Sequence, residues 1–267
     1  MIIDFHTHCF PDALAPKALG WLSESAGFKP TTDGTVRGSI EKLKASGVDM
    51  GVVCSIATNA HQLPKVNGFA IDINDLNNGL IALGSAHPDS EVLESELERL
   101  IDHDIKGIKI HPEYMPYYID SPQWDRVFSL CEDMGIFVMT HAGFDFISPD
   151  RIAATPERIA KVLDRHPKLT FIAAHLGSNK LWQDVKNILC GRDNLYFDTA
   201  ILARYGANPD LVKEIILSHG TDKILFGSDM PWSDPKKELD FIRALSFDSA
   251  DEAAIFGGNA ERLLLTQ

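Results

Sequence analysis

Two histidines open this chain, two residues apart, in the run Ile2-Ile3-Asp4-Phe5-His6-Thr7-His8. In an extended strand, side chains two apart share one face, about 6–7 Å apart along the chain. His6 and His8 then point the same way and can grip one cation, because neutral imidazole is the commonest metal ligand in proteins. A pair of this kind often occurs without a metal. What raises it is the rest of the chain, where apolar runs of strand length repeatedly end in a polar, metal-competent residue. Lys109 and His111 lie two apart after one such run, and His141, His175, Asp198 and Asp229 each close another. The intervals from Lys109 to His141, His141 to His175 and His175 to Asp229 are 32, 34 and 54 residues. These correspond to one, one and two strand–helix units. Other polar residues read more plainly. Cys9 is a small residue just past the strand. His87 and His111 precede prolines and orient loops or substrate. His61, His103, His166 and His219 fall on loops or helices and read as solvated. Lys109 has a second reading, in which it neutralises Asp4 or Asp198.

The elements that must position these residues follow from the hydrophobic pattern. Strands are expected at 2–8, 49–55, 79–85, 105–111, 136–141, 169–175, 194–199 and 222–228. Helices are expected at 37–46, 67–77, 91–103, 122–134, 155–165, 179–190, 208–219 and 235–245. In the third helix Val92, Leu93, Leu97, Leu100 and Ile101 form the apolar stripe. Gly135 and Gly220 stand where helices stop. Eight strands alternating with helices indicate parallel βαβ units. Over a chain of this length the tally is that of a single-domain α/β protein spanning 1–267, a TIM-type (β/α)8 barrel rather than an open sheet. In that fold the C-terminal strand ends build the active site. Residues 9–36 and 56–66 are long excursions that would cover the barrel mouth.

Composition narrows the partners. The chain has 267 residues, 45% hydrophobic and 24% charged, with a formal charge of −13. That charge argues against nucleic acid and anionic membrane surfaces. No run of about 18 apolar residues exists to span a bilayer, and no basic segment precedes an apolar stretch at the N-terminus. Four scattered cysteines without a CxxC read as reduced thiols, hence a cytoplasmic protein. A small molecule is the expected partner, and a homo-oligomer is compatible with the composition.

The motifs DFHTH at 4–8, GIKIHP at 107–112, THAG at 140–143, AHLG at 174–177, FGSDMPW at 226–232 and GGNAERLL at 257–264 together resemble the amidohydrolase superfamily. Within it they are similar to the amidohydrolase-related group that includes aminocarboxymuconate-semialdehyde decarboxylase. The resemblance implies a (β/α)8 barrel with a divalent metal at its mouth, as one or two ions, and zinc is the metal expected because imidazole ligands suit it. It implies that His6, His8, His141 and Asp229 are ligands of a single ion and that His175 orients or polarises water or substrate. In two-metal relatives a strand-4 lysine carries a bridging carbamate, so the full set here would be His6, His8, Lys109, His141, His175 and Asp229.

Such an ion lowers the pKa of bound water from 15.7 to about 7–9. Asp229 would act as base and His175 would stabilise an oxyanion. The expected activity is hydrolysis of an ester, lactone or amide, and the alternative is non-oxidative decarboxylation of an aromatic or muconate-type acid. Decarboxylation calls for a cation to hold the carboxylate, with Arg37, Lys65, Lys109 and Arg204 as candidates. Tyr114, Tyr117, Tyr118, Phe144 and Trp232 offer an aromatic wall for a planar substrate, or lid packing.

Overall fold

The structure is a computed structural model that describes residues 1–265. In chain order the elements begin β1 (Ile3–Thr7), α1 (Ala15–Ala26), α2 (Val36–Ala45), β2 (Met50–Cys54), α3 (Leu63–Asp75), β3 (Leu80–Ser85) and α4 (Leu93–Asp102). They continue β4 (Gly107–Ile110), α5 (Pro122–Met134), β5 (Phe137–Thr140), α6 (Pro156–Arg165), β6 (Phe171–Ala173), α7 (Trp182–Ile188) and β7 (Leu195–Asp198). The chain ends α8 (Pro209–His219), β8 (Ile224–Leu225), α9 (Pro235–Ala244), α10 (Ser249–Ala253) and α11 (Asn259–Leu265). All eight strands are parallel and follow sequence order, β1 to β8. The ends of the sheet meet through backbone bonds from Phe5 N to Phe226 O (2.7 Å), Asp229 N to His6 O (2.7 Å) and His8 N to Met230 O (2.6 Å). The expected (β/α)8 barrel is therefore present, and its last seam is sewn by the residues flanking the candidate ligands.

Alternation along the strands separates two cores. Val52, Cys54, Leu83, Phe137, Met139, Ile172 and Leu225 pack together inside the barrel. Val53, Ala82, Ile108, Val138, Phe171, Phe197 and Phe226 face the helices. Continuing the inner parity places Lys109, His111, His141 and Asp198 inward without further device, whereas Asp229 lies past the end of β8 on a left-handed backbone. Two histidines break it. Phe5 already points inward, against Phe137 across the barrel (ring centroids 6.0 Å), so His6 should face out. The β1–β2 register advances from Asp4↔Gly51 to Thr7↔Val53, three residues against two. That bulge lets consecutive residues reach the interior. His175 follows inward-facing Ala174, and its φ of +60° turns the backbone at that point.

Two helical regions differ from the sequence expectation. α1 lies inside the stretch expected as loop, with Pro16 in its first turn and Gly27 left-handed at its end. The C-terminal helices α10 and α11 lie beyond the last expected helix, and Ala260 joins the inner core. On α4, Leu93, Leu97 and Leu100 are buried as expected, whereas Val92 and Ile101 are exposed.

Candidate functional site

The site begins on β1. His6 Nδ1 lies 2.8 Å from Asp198 Oδ2, and His8 Nδ1 lies 3.0 Å from the Cys54 carbonyl. Each neutral imidazole spends its one N–H on that partner, which leaves the Nε2 lone pair facing the barrel mouth. There the His8 Nε2–Asp229 Oδ1 distance is 3.1 Å and the His6 Nε2–Asp229 Oδ1 distance is 3.5 Å. Two lone pairs thus face a carboxylate oxygen. A tetrahedral divalent ion with bonds of about 2.0–2.1 Å sets its ligand atoms about 3.3 Å apart, so this donor set fits such an ion and relieves the opposed lone pairs. Burial drives the His6 pKa well down, aided by the Lys109 ammonium, and keeps that imidazole in its ligating form. Burial works to raise the Asp229 pKa, but His6 and His8 overcome it and hold Asp229 well below the usual carboxylate range.

Asp229 has φ +64°, a conformation uncommon for a residue with a side chain. It is fixed by its N–H on His6 O and by the bonds that Trp232 and Ser233 make to its carbonyl. Beneath it, buried Asp4 accepts from Ser228 N (2.8 Å) and His6 N (3.2 Å). Burial pushes the Asp4 carboxyl up to about 7 against those hydrogen bonds.

The second tier lies on β4, β5 and β6. Lys109 is fully buried, with Nζ 2.9 Å from His6 Nε2. It therefore meets His6 Nε2 rather than Asp4 or Asp198. His175 donates through Nδ1 to the Ala200 carbonyl (3.3 Å), and its Nε2 lies 3.1 Å from His141 Nδ1. His141 Nε2 points away, towards Asp145 Oδ2 at 3.5 Å. The structure thus brings His6, His8 and Asp229 to one point, with Lys109 and His175 against His6 and His141 one step further out. Among the described residues, three groups have ligand atoms within 4.8 Å of one another: His6–His8–Asp229, His6–His175–Asp198 and His111–His141–Asp145.

These residues floor a cavity of about 710 Å³ at the C-terminal ends of the strands. Tyr114, Phe144 and Trp232 line it as the sequence suggests, joined by Trp21, Phe146 and Tyr205. Tyr117 and Tyr118 do not: the first bonds Asp89, and the second lies under Arg158. Of the cations considered for a carboxylate, Lys65 and Lys109 line the cavity, while Arg37 pairs with Glu41 on the surface and Arg204 stacks on Phe28. Cys9 lines the cavity, and burial raises its thiol pKa to about 12, which makes it a poor ligand. His87 accepts from Asp89 N as a loop-orienting group.

Sequence reasoning missed Asp145 and understated His111. Asp145 sits in a loop with no periodic signal, whereas His111 lay at the expected two-residue spacing from Lys109. His166 and His219 are buried rather than solvated. His219 stacks on Phe197 with ring centroids 4.0 Å apart.

The family model described as amidohydrolase matches residues 3–265, almost the whole chain. The chain belongs to the amidohydrolase family. It is an enzyme of that superfamily, and the family together with the clustered donors supports a divalent-metal centre. No curated protein matches this amidohydrolase in sequence. Among solved structures it is similar to an uncharacterised TIM-barrel protein from Bordetella bronchiseptica, at 22% identity over 98% of each chain with TM-score 0.75. It is similar to 5-carboxyvanillate decarboxylase from Sphingomonas paucimobilis, at 16% identity, 100% and 99% coverage and TM-score 0.72. It is also similar to a dihydroxybenzoic acid decarboxylase from Polaromonas with bound manganese and 2-nitroresorcinol, at 16% identity, 98% and 96% coverage and TM-score 0.71. At these identities the likeness is one of fold. Among the described residues no helix is long and apolar enough to cross a membrane.

Proposed function

We propose that this amidohydrolase-family protein is a divalent-metal-dependent lyase that removes CO2 from a small, planar aromatic carboxylic acid. The observation that carries this reading is the His6–His8–Asp229 donor set at the floor of an aromatic-walled cavity, with the Lys109 amine 2.9 Å from His6. The fold is similar to those of 5-carboxyvanillate decarboxylase and a dihydroxybenzoic acid decarboxylase, which supports decarboxylation over the hydrolysis that the sequence put first. The ligands are His6, His8 and Asp229, with His141 and His175 able to join by rotating. Zinc suits the imidazoles, and the mixed nitrogen and oxygen donors also suit manganese.

An ion held by His6, His8 and Asp229 would supply positive charge for orienting the substrate and for stabilising negative charge developed in the reaction. The chain's own residues do the rest. Lys109, as an ammonium, attracts the carboxylate at the floor, and Lys65 stands nearer the rim. Trp232, Tyr114 and Phe144 hold the ring face. Net decarboxylation replaces CO2 by a proton at carbon. Asp229 is the group placed to deliver that proton, and His175 to relay one to it.

Lys109 also favours one alternative specifically. Carboxylated at Nζ, it would become an anionic ligand beside His6, and the site would then suit hydrolysis of an ester, lactone or amide with two ions. One experiment separates the readings. Metal-loaded protein is offered hydroxylated benzoic acids and, in parallel, small esters, lactones and amides, with CO2 release and acid release scored separately. Metal-dependent CO2 release, lost in Asp229→Asn, supports the lyase. Acid release without CO2 would transfer the assignment to hydrolysis.

A further inference from the structure

The donor residues and Lys109 take up only the floor of the cavity. We propose that α1 and the first turns of α3 form an apolar subsite in its outer part, which receives a second ring carried by the substrate. The substrate class is then a biaryl-type acid rather than a single-ring one. This deepens, and rests on, the reading of an aromatic carboxylic acid held at the floor.

Helix α1 has two apolar faces. One anchors it: Leu19 is buried and packs with Ile201 and Trp232, which follow β7 and β8. Thr31, just past the helix, donates both its N–H (2.8 Å) and its hydroxyl (3.2 Å) to the Pro231 carbonyl. These contacts seat α1 over the barrel mouth. The other face starts at Leu14, just before the helix, and continues with Ala18, Trp21 and Leu22. That is the spacing i, i+4, i+7 and i+8 of one helical stripe, and all four line the cavity. Leu14 is 46% exposed and Trp21 55% exposed, so large apolar groups stand open on the stripe that meets the cavity. Val66 and Phe69, one turn apart on α3, line the same cavity. Helix α3 follows β2, so its first turns stand at the C-terminal ends of the strands, where the donors also lie.

The size of the cavity supplies the second argument. A dihydroxybenzoic acid has eleven non-hydrogen atoms, and at no more than the liquid share of one water molecule each it fills at most about 330 Å³. The cavity holds about 710 Å³, so more than half of it is left when a single-ring acid sits at the floor. Walls of indole, phenyl and branched aliphatic groups give water few hydrogen bonds, and an apolar group that displaces such water gains affinity. Trp21 and Phe69 favour a ring over an alkyl chain, because offset or edge-to-face aromatic contacts add to the burial of area.

The test is equilibrium binding by titration calorimetry on metal-loaded protein, with benzoate, biphenyl-3-carboxylate and biphenyl-4-carboxylate as probes. At least one biphenyl acid is expected to bind about tenfold tighter than benzoate, a gain within reach of burying one phenyl group. Trp21→Ala should remove most of that preference. Leu217→Ala, which trims an equally exposed side chain on α8, should leave it intact and so controls for non-specific apolar binding. Phenol and 4-phenylphenol repeat the comparison without a carboxylate. A second-ring preference in this neutral pair, with no gain from the carboxylate in the acids, keeps the subsite and overturns the acid reading above. Circular dichroism checks folding, and if Trp21→Ala fails to fold, Leu14→Ala carries the test. No second-ring preference in either set, or one that survives unchanged in the folded variant, overturns the proposal.

Discussion

Asp229 carries two duties, as the carboxylate on which His6 and His8 converge and as the proton carrier of the proposed reaction. Asn keeps its size and one ligating oxygen but removes the charge and the basicity. We expect Asp229→Asn to retain part of its metal while turnover falls by about 10²–10⁴-fold, the usual scale of general acid–base catalysis. Rates at saturating metal check this, and a variant within about threefold of wild type shifts the proton to His175. Asp198 is a positioning residue. Its Oδ2 holds His6 Nδ1 and its Oδ1 accepts from His175 N at 2.8 Å. Asp198→Asn should weaken metal binding by about 10–100-fold, as loss of such outer partners generally does, with the circular dichroism spectrum unchanged. Zn(II) titration of the two proteins measures it. At this scale the sequence was legible where spacing encodes a shared face, as in His6 and His8. It was silent where a loop carries the group, as in Asp145, and where burial alone sets the role, as in His166 and His219.

At the scale of elements, strand parity delivers much of the site, and local irregularities at β1, His175 and Asp229 complete it. The bulge in β1 and the left-handed His175 each rotate one histidine inward. A one-residue shift of this kind changes which face a side chain occupies, and hydrophobic alternation does not announce it. Helix α1 was hidden for a different reason: the prolines and glycines spread through 9–36, and its own Pro16 and Gly20, resemble a loop. Trp21 on this helix and Leu14 just before it are exposed and line the cavity. Helix α8 ends in His219, whose Nε2–H donates to Leu195 O (3.0 Å) and whose Nδ1 accepts from Gly191 N (3.2 Å). Accepting at Nδ1 requires the neutral ring, and burial lowers its pKa to about 4 from 6.5. Between pH 6.5 and about 4 the unfolded chain then binds a proton that the folded chain does not. Stability from His219 therefore falls as pH falls through that window, by at most about 3 kcal/mol. Asp4 and Glu238 act in the opposite sense, because burial raises both to about 7. The difference between wild type and His219→Gln isolates the histidine. Chemical denaturation at pH 7 and pH 4.5 should show the gap between the two proteins moving in favour of the variant at the lower pH.

For the whole molecule, the barrel was legible because eight apolar runs and their helices repeat at regular spacing, and the chain closes as that count requires. The substrate was not legible, because the cavity walls come from segments far apart in the chain, such as those that carry Trp21 and Tyr205. The seam between β1 and β8 carries His6, His8 and Asp229, so an ion held there as proposed would couple its occupancy to barrel stability. An ion that binds only the folded chain adds about 2.7 kcal/mol at a hundred times its Kd. For a chain of this size that raises the melting temperature by roughly 5–10 °C. Chelator-stripped protein should melt that much lower and recover on adding Zn(II) or Mn(II), as read by scanning calorimetry. The central claim is the position of the first ion. Anomalous diffraction from metal-loaded crystals, collected at the metal edge, tests it most directly. The account expects a peak within about 2.0–2.3 Å of His6 Nε2, His8 Nε2 and an Asp229 carboxylate oxygen. A metal-loaded crystal with no anomalous peak between those three residues would contradict it.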